Sequence, residues 1–249
     1  MITAYHRPST IDETLKLLAN SNTLPLGGGT HLSRSGSASL EVVDLQALGF
    51  NILKKNGNNL EIGATVTLQQ LLESEYASDA LKIAVKREAP LNIRNAATVA
   101  GSLVTAGGRS TFATAMLALD AKLTIEGQRS AVENLGEFLP LRPNNLRGML
   151  ITALTVPLNT KLAFEIVSRT PLDKPVVCAA LAIWPSGRTR LALGGYGSAP
   201  MLAMDGTESE GLVTAARNTF HEATDEWAGA EYRMEVAATL VERCRDSII

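Results

Sequence analysis

Two short runs made almost entirely of residues without bulky side chains dominate the first half of the chain. One is Leu26-Gly27-Gly28-Gly29-Thr30-His31-Leu32, and the other is Asn95-Ala96-Ala97-Thr98-Val99-Ala100-Gly101-Ser102-Leu103. Each follows an apolar segment, so each marks a place where the chain turns at the end of a regular element. Runs of this kind expose successive backbone N–H groups and let a bulky ligand approach closely. The hydroxyls of Thr30, Thr98 and Ser102 are available to phosphate oxygens. A pyrophosphate held between two such loops is one reading; a pair of tight turns is the other, and the runs alone leave both open. No G-x-G-x-x-G follows a strand, and Gly194-Gly195-Tyr196-Gly197, continued by Ser198-Ala199-Pro200, comes nearest. This argues against a Rossmann dinucleotide site.

Periodicity and capping place the elements around these loops. Residues 9–19 open with Ser9-Thr10 and acidic positions, then set Ile11, Leu15 and Leu18 at helical spacing. Strands are expected at 23–26, 40–45, 60–62, 122–126 and 147–156. Helices are expected at 68–75, with Thr67 as cap, at 80–88, stopped by Pro90, and at 112–119. Residues 95–101 read as a turn of small residues leading into a polar loop. From about Asn159 the pattern changes to three consecutive strands, 163–168, 176–184 and 189–194, joined by short turns, which favours a three-stranded antiparallel sheet. Helices at 212–223 and 230–245 close the chain. The class is α+β, with an order too irregular for a doubly wound sheet.

Several chemistries are excluded. The chain carries 23 Lys+Arg against 25 Asp+Glu, a net charge of −2, which does not suit a nucleic-acid binder. The longest apolar run, residues 176–184, is nine residues, short of the roughly 18–20 a membrane span needs. Residues 1–8 lack a basic-then-apolar start, so no secretory signal is expected and a cytoplasmic location is. Cys178 and Cys244 are too few for a zinc site or an iron–sulfur cluster, and His6, His31 and His221 share no metal-ligand spacing. No G-x-S-x-G, Walker A loop or H-E-x-x-H occurs, so neither a catalytic side chain nor a metal ligand is assigned.

The order of the motifs nevertheless resembles a known family. Pro25-Leu26-Gly27-Gly28-Gly29-Thr30-His31-Leu32 is similar to an A-G-G-T-D-L loop. Ile62-Gly63-Ala64-Thr65-Val66-Thr67 resembles I-G-A-x-x-T, and Ile93-Arg94-Asn95 with Thr98-Val99-Ala100-Gly101-Ser102 resembles I-R-N followed by T-x-G-G-S. Leu117-Ala118-Leu119-Asp120-Ala121, Arg169 with Asp173, Leu193-Gly194-Gly195-Tyr196 and Ala230-Glu231-Tyr232-Arg233 continue the likeness. The chain is identified as resembling the FAD-binding medium subunit of molybdenum hydroxylases, the group that includes carbon monoxide dehydrogenase and the flavin portion of xanthine dehydrogenase.

The resemblance implies a two-part FAD-binding region over 1–158, with subdomains of about 1–55 and 56–158. A smaller domain over 159–249 would hold the three-stranded antiparallel sheet and helices. It implies FAD in this chain, with the molybdenum cofactor in a large partner subunit and two 2Fe-2S clusters in a small one. The chain would be the electron-transferring oxidoreductase subunit of such a heterotrimer. Leu26, Gly27, Gly28, Gly29, Thr30 and His31 would cradle the pyrophosphate, Thr98, Gly101 and Ser102 would close on it, and Ile151 or Thr152 would lie near the adenine. Two positions depart from the family: Thr111 stands where an aspartate often binds the ribose side, and Glu165 follows Phe164 where a lysine is common. The loop Ala106-Gly107-Gly108-Arg109-Ser110 differs as well. These departures leave an alternative, a degenerate homologue keeping the fold as an assembly subunit without FAD. Arg94 and Arg109 are candidate phosphate partners, Cys178 a buried small hydrophobe, Trp227 an interface anchor or core residue, and Tyr232 and Arg233 helix-packing groups.

Overall fold

The computed structural model describes residues 2–32 and 39–248, the side chains of 143–145 excepted. The first elements are β1 (Ile2–His6), α1 (Ile11–Leu18), β2 (Thr23–Leu26), β3 (Leu40–Asp44), β4 (Leu53–Asn56) and β5 (Asn59–Gly63). Then come α2 (Leu68–Glu73), α3 (Asp79–Glu88), α4 (Leu91–Arg94), α5 (Val99–Val104) and α6 (Thr111–Ala118). They are followed by β6 (Lys122–Glu126), β7 (Ala131–Asn134), α7 (Leu135–Asn145), β8 (Leu150–Pro157) and β9 (Lys161–Val167). The chain ends with β10 (Val177–Ile183), β11 (Thr189–Gly194), β12 (Met201–Gly206), α8 (Leu212–Thr219) and α9 (Ala230–Ile248). Among the described residues no helix is long and apolar enough to cross a membrane.

These elements gather into two compact units. The first comprises Met1–Leu71, Leu91–Thr105 and Lys122–Thr155. It contains a parallel sheet ordered β1-β3-β2 and a five-stranded sheet ordered β4-β5-β8-β6-β7. Helix α1 starts where Thr10 accepts a hydrogen bond from Glu13 N, while Glu13 reaches back to Ser9 N. Its Leu18 packs with Val43, Leu45 and Leu150 in one apolar cluster. In β3 the buried Asp44 accepts from Gln46 N at 2.9 Å and from the Tyr5 hydroxyl, tying β1 to the neighbouring central strand.

The second unit comprises Leu72–Pro90, Ala106–Ala121 and Val156–Ile249. Its sheet is antiparallel and ordered β12-β11-β10-β9. The expectation of three antiparallel strands is therefore corrected to four. Met201–Gly206 pairs with β11 as an edge strand of partly buried and exposed residues, so no fully buried face marks it in the sequence. Strand β10 is buried on both faces. Ala179 and Leu181 join Leu212 of α8, Phe220 at its C-terminal cap, and Leu240 and Val241 of α9, while Cys178, on the opposite face, meets Thr114 of α6 at 3.6 Å.

The grouping differs from two consecutive blocks split near residue 158, because α3 and α6 pack with the second unit although they precede that point. Other expectations shift by local causes. The run 95–101 is not an open loop: Thr98 caps a helix that begins at Val99. Helix α7 forms despite Pro140, which ordinarily breaks a helix interior; Leu135, Phe138 and Leu139 are buried there.

Candidate functional site

The two runs of small residues meet in the first unit. Strand β2 runs parallel to β3 and delivers the chain at Leu26, whose carbonyl accepts from Leu45 N at 3.1 Å. The glycines then cross the second run at backbone contact. A Cβ built on Gly28 would lie 1.6 Å from Ala96 O, and one on Gly27 would lie 2.8 Å from Thr98 Oγ1. Gly29 adopts φ 70°, a left-handed turn that favours glycine. Gly27 and Gly28 are thus required by the approach of the other loop, not only by the approach of a ligand.

The second run is fixed from beneath. Leu68 N donates to Ala97 O at 2.9 Å and Val99 N to Val66 O at 2.8 Å, so residues 97–99 are pinned to the segment joining β5 to α2. That segment is itself fixed by a reciprocal cap: Gln70 N donates to Thr67 Oγ1, and Thr67 N to Gln70 Oε1. Thr98 Oγ1 accepts from Gly101 N at 3.2 Å, and Ala100 N reaches Ala64 O at 3.4 Å. The amides of 99–102 are therefore engaged within the protein, contrary to the expectation of an exposed row. What this run presents outward is the bare, exposed backbone of Gly101, whose added Cβ would meet only Thr98 Oγ1, at 2.9 Å.

Two cavities open beside this crossing, of about 800 and 740 Å³, and both are walled by Gly27, Gly28, Gly29 and Thr98. The first has an apolar floor, with Leu18, Leu45, Leu150 and Ile151 in its wall, and Arg142, Arg147 and His31 around it. The second is walled by polar groups, among them Asn51, Thr65, Gln70 and Asn95, with Arg7 beside them. Among the described residues no acidic side chain lines either cavity. Burial lowers the pKa of the Arg142 guanidinium, yet arginine stays cationic at neutral pH. The result is a pair of cavities that share one bare backbone edge, with arginines in both walls. Each volume is of the size that holds a small-molecule ligand or cofactor.

The expected site residues divide accordingly. Leu26 lines the second cavity, Gly27, Gly28, Gly29 and Thr98 line both, and Thr30, His31, Gly101 and Ile151 line the first. Ser102 and Thr152 line neither; the Thr152 carbonyl accepts from Ala64 N, and its hydroxyl donates to Thr124 O. Thr111 lies in the second unit, fully buried, donating to Ala84 O at 2.7 Å beside Glu88 Oε2 at 3.2 Å. Glu165 is on β9 opposite Ala179 and lines neither cavity. Arg94 bonds Gln69. Arg109 donates to Pro175 O and Lys174 O and stacks on Trp227 at 4.3 Å, with Arg169 at 4.6 Å from the same ring.

Sequence reasoning missed Arg142, Arg147 and Met149, because they sit on α7 and its exit, where prolines conceal the helix. It also missed Thr23 and Leu24 at the start of β2. Among the described residues no group of three or more His, Cys, Asp or Glu is placed to hold a metal.

Residues 1–159 match the family described as FAD binding domain in molybdopterin dehydrogenase. Over 221 residues the chain is 28% identical to the glyceraldehyde dehydrogenase medium chain of Sulfolobus acidocaldarius, covering 81% of this chain and 78% of that one. Over 136 residues it is 32% identical to the xanthine dehydrogenase FAD-binding subunit of Escherichia coli O157:H7, covering 51% of this chain and 47% of that one. The fold is that of a chain in reconstituted CO dehydrogenase from Oligotropha carboxidovorans. The TM-score is 0.82 at 24% identity, over 98% of this chain and 96% of that one.

Proposed function

Because the chain belongs to the family of FAD-binding domains of molybdopterin dehydrogenases, we propose that the crossing of its two small-residue loops clamps the pyrophosphate of FAD. The observation that carries this reading is one bare edge, Gly27, Gly28, Gly29 and Thr98, shared by two cavities. An extended dinucleotide has that form: two bulky halves joined by a compact, doubly charged link.

The chain's residues divide the work by chemistry. The first loop and the cations Arg142, Arg147 and Arg7 favour the charged link, with His31 beside them, since among the described residues no carboxylate lines either cavity to oppose it. Engaged amides at 99–102 leave the second loop a steric part: Gly101 admits close approach, and Thr98 holds the turn. The apolar first cavity suits the base-bearing half, and the polar second cavity suits a hydroxylated chain. When bound, FAD supplies a carrier able to take electrons from one redox partner and release them to another. Cys178 and Cys244 are both buried, with no exposed thiol chemistry between them.

We read the chain as an oxidoreductase subunit of the molybdenum hydroxylase type. Membership in the family and likeness to a protein named as a medium chain support a role beside an iron–sulfur small subunit and a molybdenum large subunit. The test is reconstitution of the purified chain with FAD and with FMN, followed by its visible spectrum. Retention of FAD through gel filtration, with FMN lost, is expected. A colourless chain after both would overturn the reading and restore the flavin-free assembly role.

A further inference from the structure

The turn between β9 and β10, in the second unit, lies at the surface and is nevertheless gripped by three arginines. Within it, Asp173 N donates to Thr170 O at 3.2 Å, with Pro171 preset for the turn between them, and the Ser168 hydroxyl donates to the same carbonyl at 2.8 Å. Arg169 pairs with Asp173 at 3.3 Å. The other two arginines come from separate segments and hold the backbone of the turn. Arg87 of α3 donates to Pro171 O at 2.6 Å, and Arg109 donates to Lys174 O and Pro175 O, each at 2.7 Å. Arg109 and Arg169 both lie over the ring of Trp227, which stays 39% exposed. At the tip of the turn Leu172 is 90% exposed, more than any other large apolar side chain among the described residues.

We propose that this turn is a docking knob for a protein subunit of the same complex, one that offers Leu172 an apolar socket rimmed by carboxylates. Rigidity is the first support. A turn already fixed loses little freedom on binding, so burial of its tip is not offset by the cost of ordering it. Charge is the second. Arg87 and Arg109 bond carbonyls, not carboxylates, and Lys174 contributes only its carbonyl to the grip. Of the acids beside them, Asp173 pairs with Arg169, and Asp225 with the buried Arg233. The surface around the tip is left net positive, which selects an acidic partner. Trp227 and the arginines on its ring are also of the residue types that carry most of the binding energy at protein interfaces. A lipid surface has no shape for a fixed turn to match, and one leucine is a small anchor there. The rigid tip therefore favours a protein socket.

The inference rests on the reading of the chain as a subunit of a molybdenum hydroxylase, and the experiment separates the two. The full chain, Leu172→Asp and Lys174→Glu are each co-expressed with the iron–sulfur and molybdenum subunits. The affinity of the chain for them is read from dissociation of the purified complex on dilution, at low and at high salt. Val132→Asp, a change at an exposed apolar residue of the first unit, is the control. Both turn variants alter exposed side chains and should melt within about 2 °C of the parent. Leu172→Asp is expected to weaken association about 10-fold or more at either salt concentration. Lys174→Glu should weaken it about 2- to 5-fold at low salt and less at high salt. Parental association of Leu172→Asp would overturn the proposal while leaving the family reading intact, and so would an equal loss from Val132→Asp. Phosphatidylglycerol vesicles that bind the parent but not Leu172→Asp would assign the tip to a lipid surface and overturn it as well. A dimer of the parent chain that Leu172→Asp dissolves would do the same in favour of a second copy. If the parent joins neither subunit, the functional reading falls first and the docking knob with it.

Discussion

A single methyl group added at Gly28 should force the two loops apart. The Cβ of an alanine there would stand 1.6 Å from Ala96 O and 2.5 Å from its carbonyl carbon, where real Cβ contacts essentially never fall below 3.0 Å. The loops would have to separate by roughly 1.5–2 Å to reach ordinary contact. Neither side yields freely. Hydrogen bonds of 2.9 Å at Ala97 O and 2.8 Å at Val99 N anchor the second loop, and the β2–β3 pairing anchors the first. Overpacking of this kind costs about 1–3 kcal/mol, and in a chain of this size 1 kcal/mol shifts Tm by about 2–4 °C. Gly28→Ala is therefore expected to lower Tm by about 2–12 °C. It should also lose FAD, because the displaced edge belongs to both cavities.

Gly101→Ala supplies the contrast. Its Cβ meets only the Thr98 hydroxyl, at 2.9 Å. Alanine gains about 0.8–1 kcal/mol over glycine inside a helix, while a disturbed Thr98 cap costs about 1 kcal/mol. These offset, so Tm should stay within about 4 °C, and a fall in FAD affinity then reports the ligand's approach to the backbone. Calorimetric melting with and without FAD, combined with FAD titration, measures both quantities. A Gly28→Ala chain with parental Tm and parental FAD affinity would refute the loop contact. Equal losses of Tm in the two variants would refute the ranking drawn from the Cβ distances.

Thr111→Asp is expected to destabilise by about 3 kcal/mol. It buries a carboxylate beside Glu88 Oε2 and removes the bond to Ala84 O; thermal melting decides, and a raised Tm would contradict the burial. Asp225 feels burial, which raises its pKa, but the bond from Arg233 and the amides of Trp227 and Ala228 outweigh it and the net shift is downward. A lowered folded pKa contributes stability that is present above the unfolded value of about 3.9 and lost as pH falls through the folded one. Asp225→Asn should therefore flatten the acid limb of a stability profile below about pH 4, and an unchanged acid limb would exclude Asp225 as a contributor. Burial pushes the thiols of Cys178 and Cys244 up to about 12. Neither should react with a thiol reagent at pH 8 until the chain is denatured, and rapid labelling of the native protein would contradict that burial.

The local pattern settled much of this molecule. Strand 23–26 and the helices capped by Thr10 and Thr67 are written in residues a few positions apart, because caps and alternation act over one or two turns of chain. The two glycine runs were legible as sites of close approach for the same reason, since a lack of side chains is a property of the residues themselves. Edge strands were not legible. Ile2–His6 and Met201–Gly206 are largely exposed or only partly buried, so no buried face imposes alternation on them.

Tertiary structure alone decided what each small residue is for. Gly28 answers to Ala96, which lies 68 positions later in the chain, and no period or cap spans that separation. Thr111, expected from the resemblance near the ribose side of a dinucleotide, has its hydroxyl donating to Ala84 O where α6 packs on α3, a contact that no local pattern announces. Helix α7 kept its prolines because burial of Phe138 and Leu139 outweighs a local penalty, and it thereby brought Arg142 to the cavity wall. Local preferences amount to a few tenths of a kcal/mol up to a few kcal/mol per residue, whereas burial of one large apolar side chain contributes about 1.5–3 kcal/mol. Where the two conflict, long-range packing prevails, and only the folded chain shows which contacts supply it.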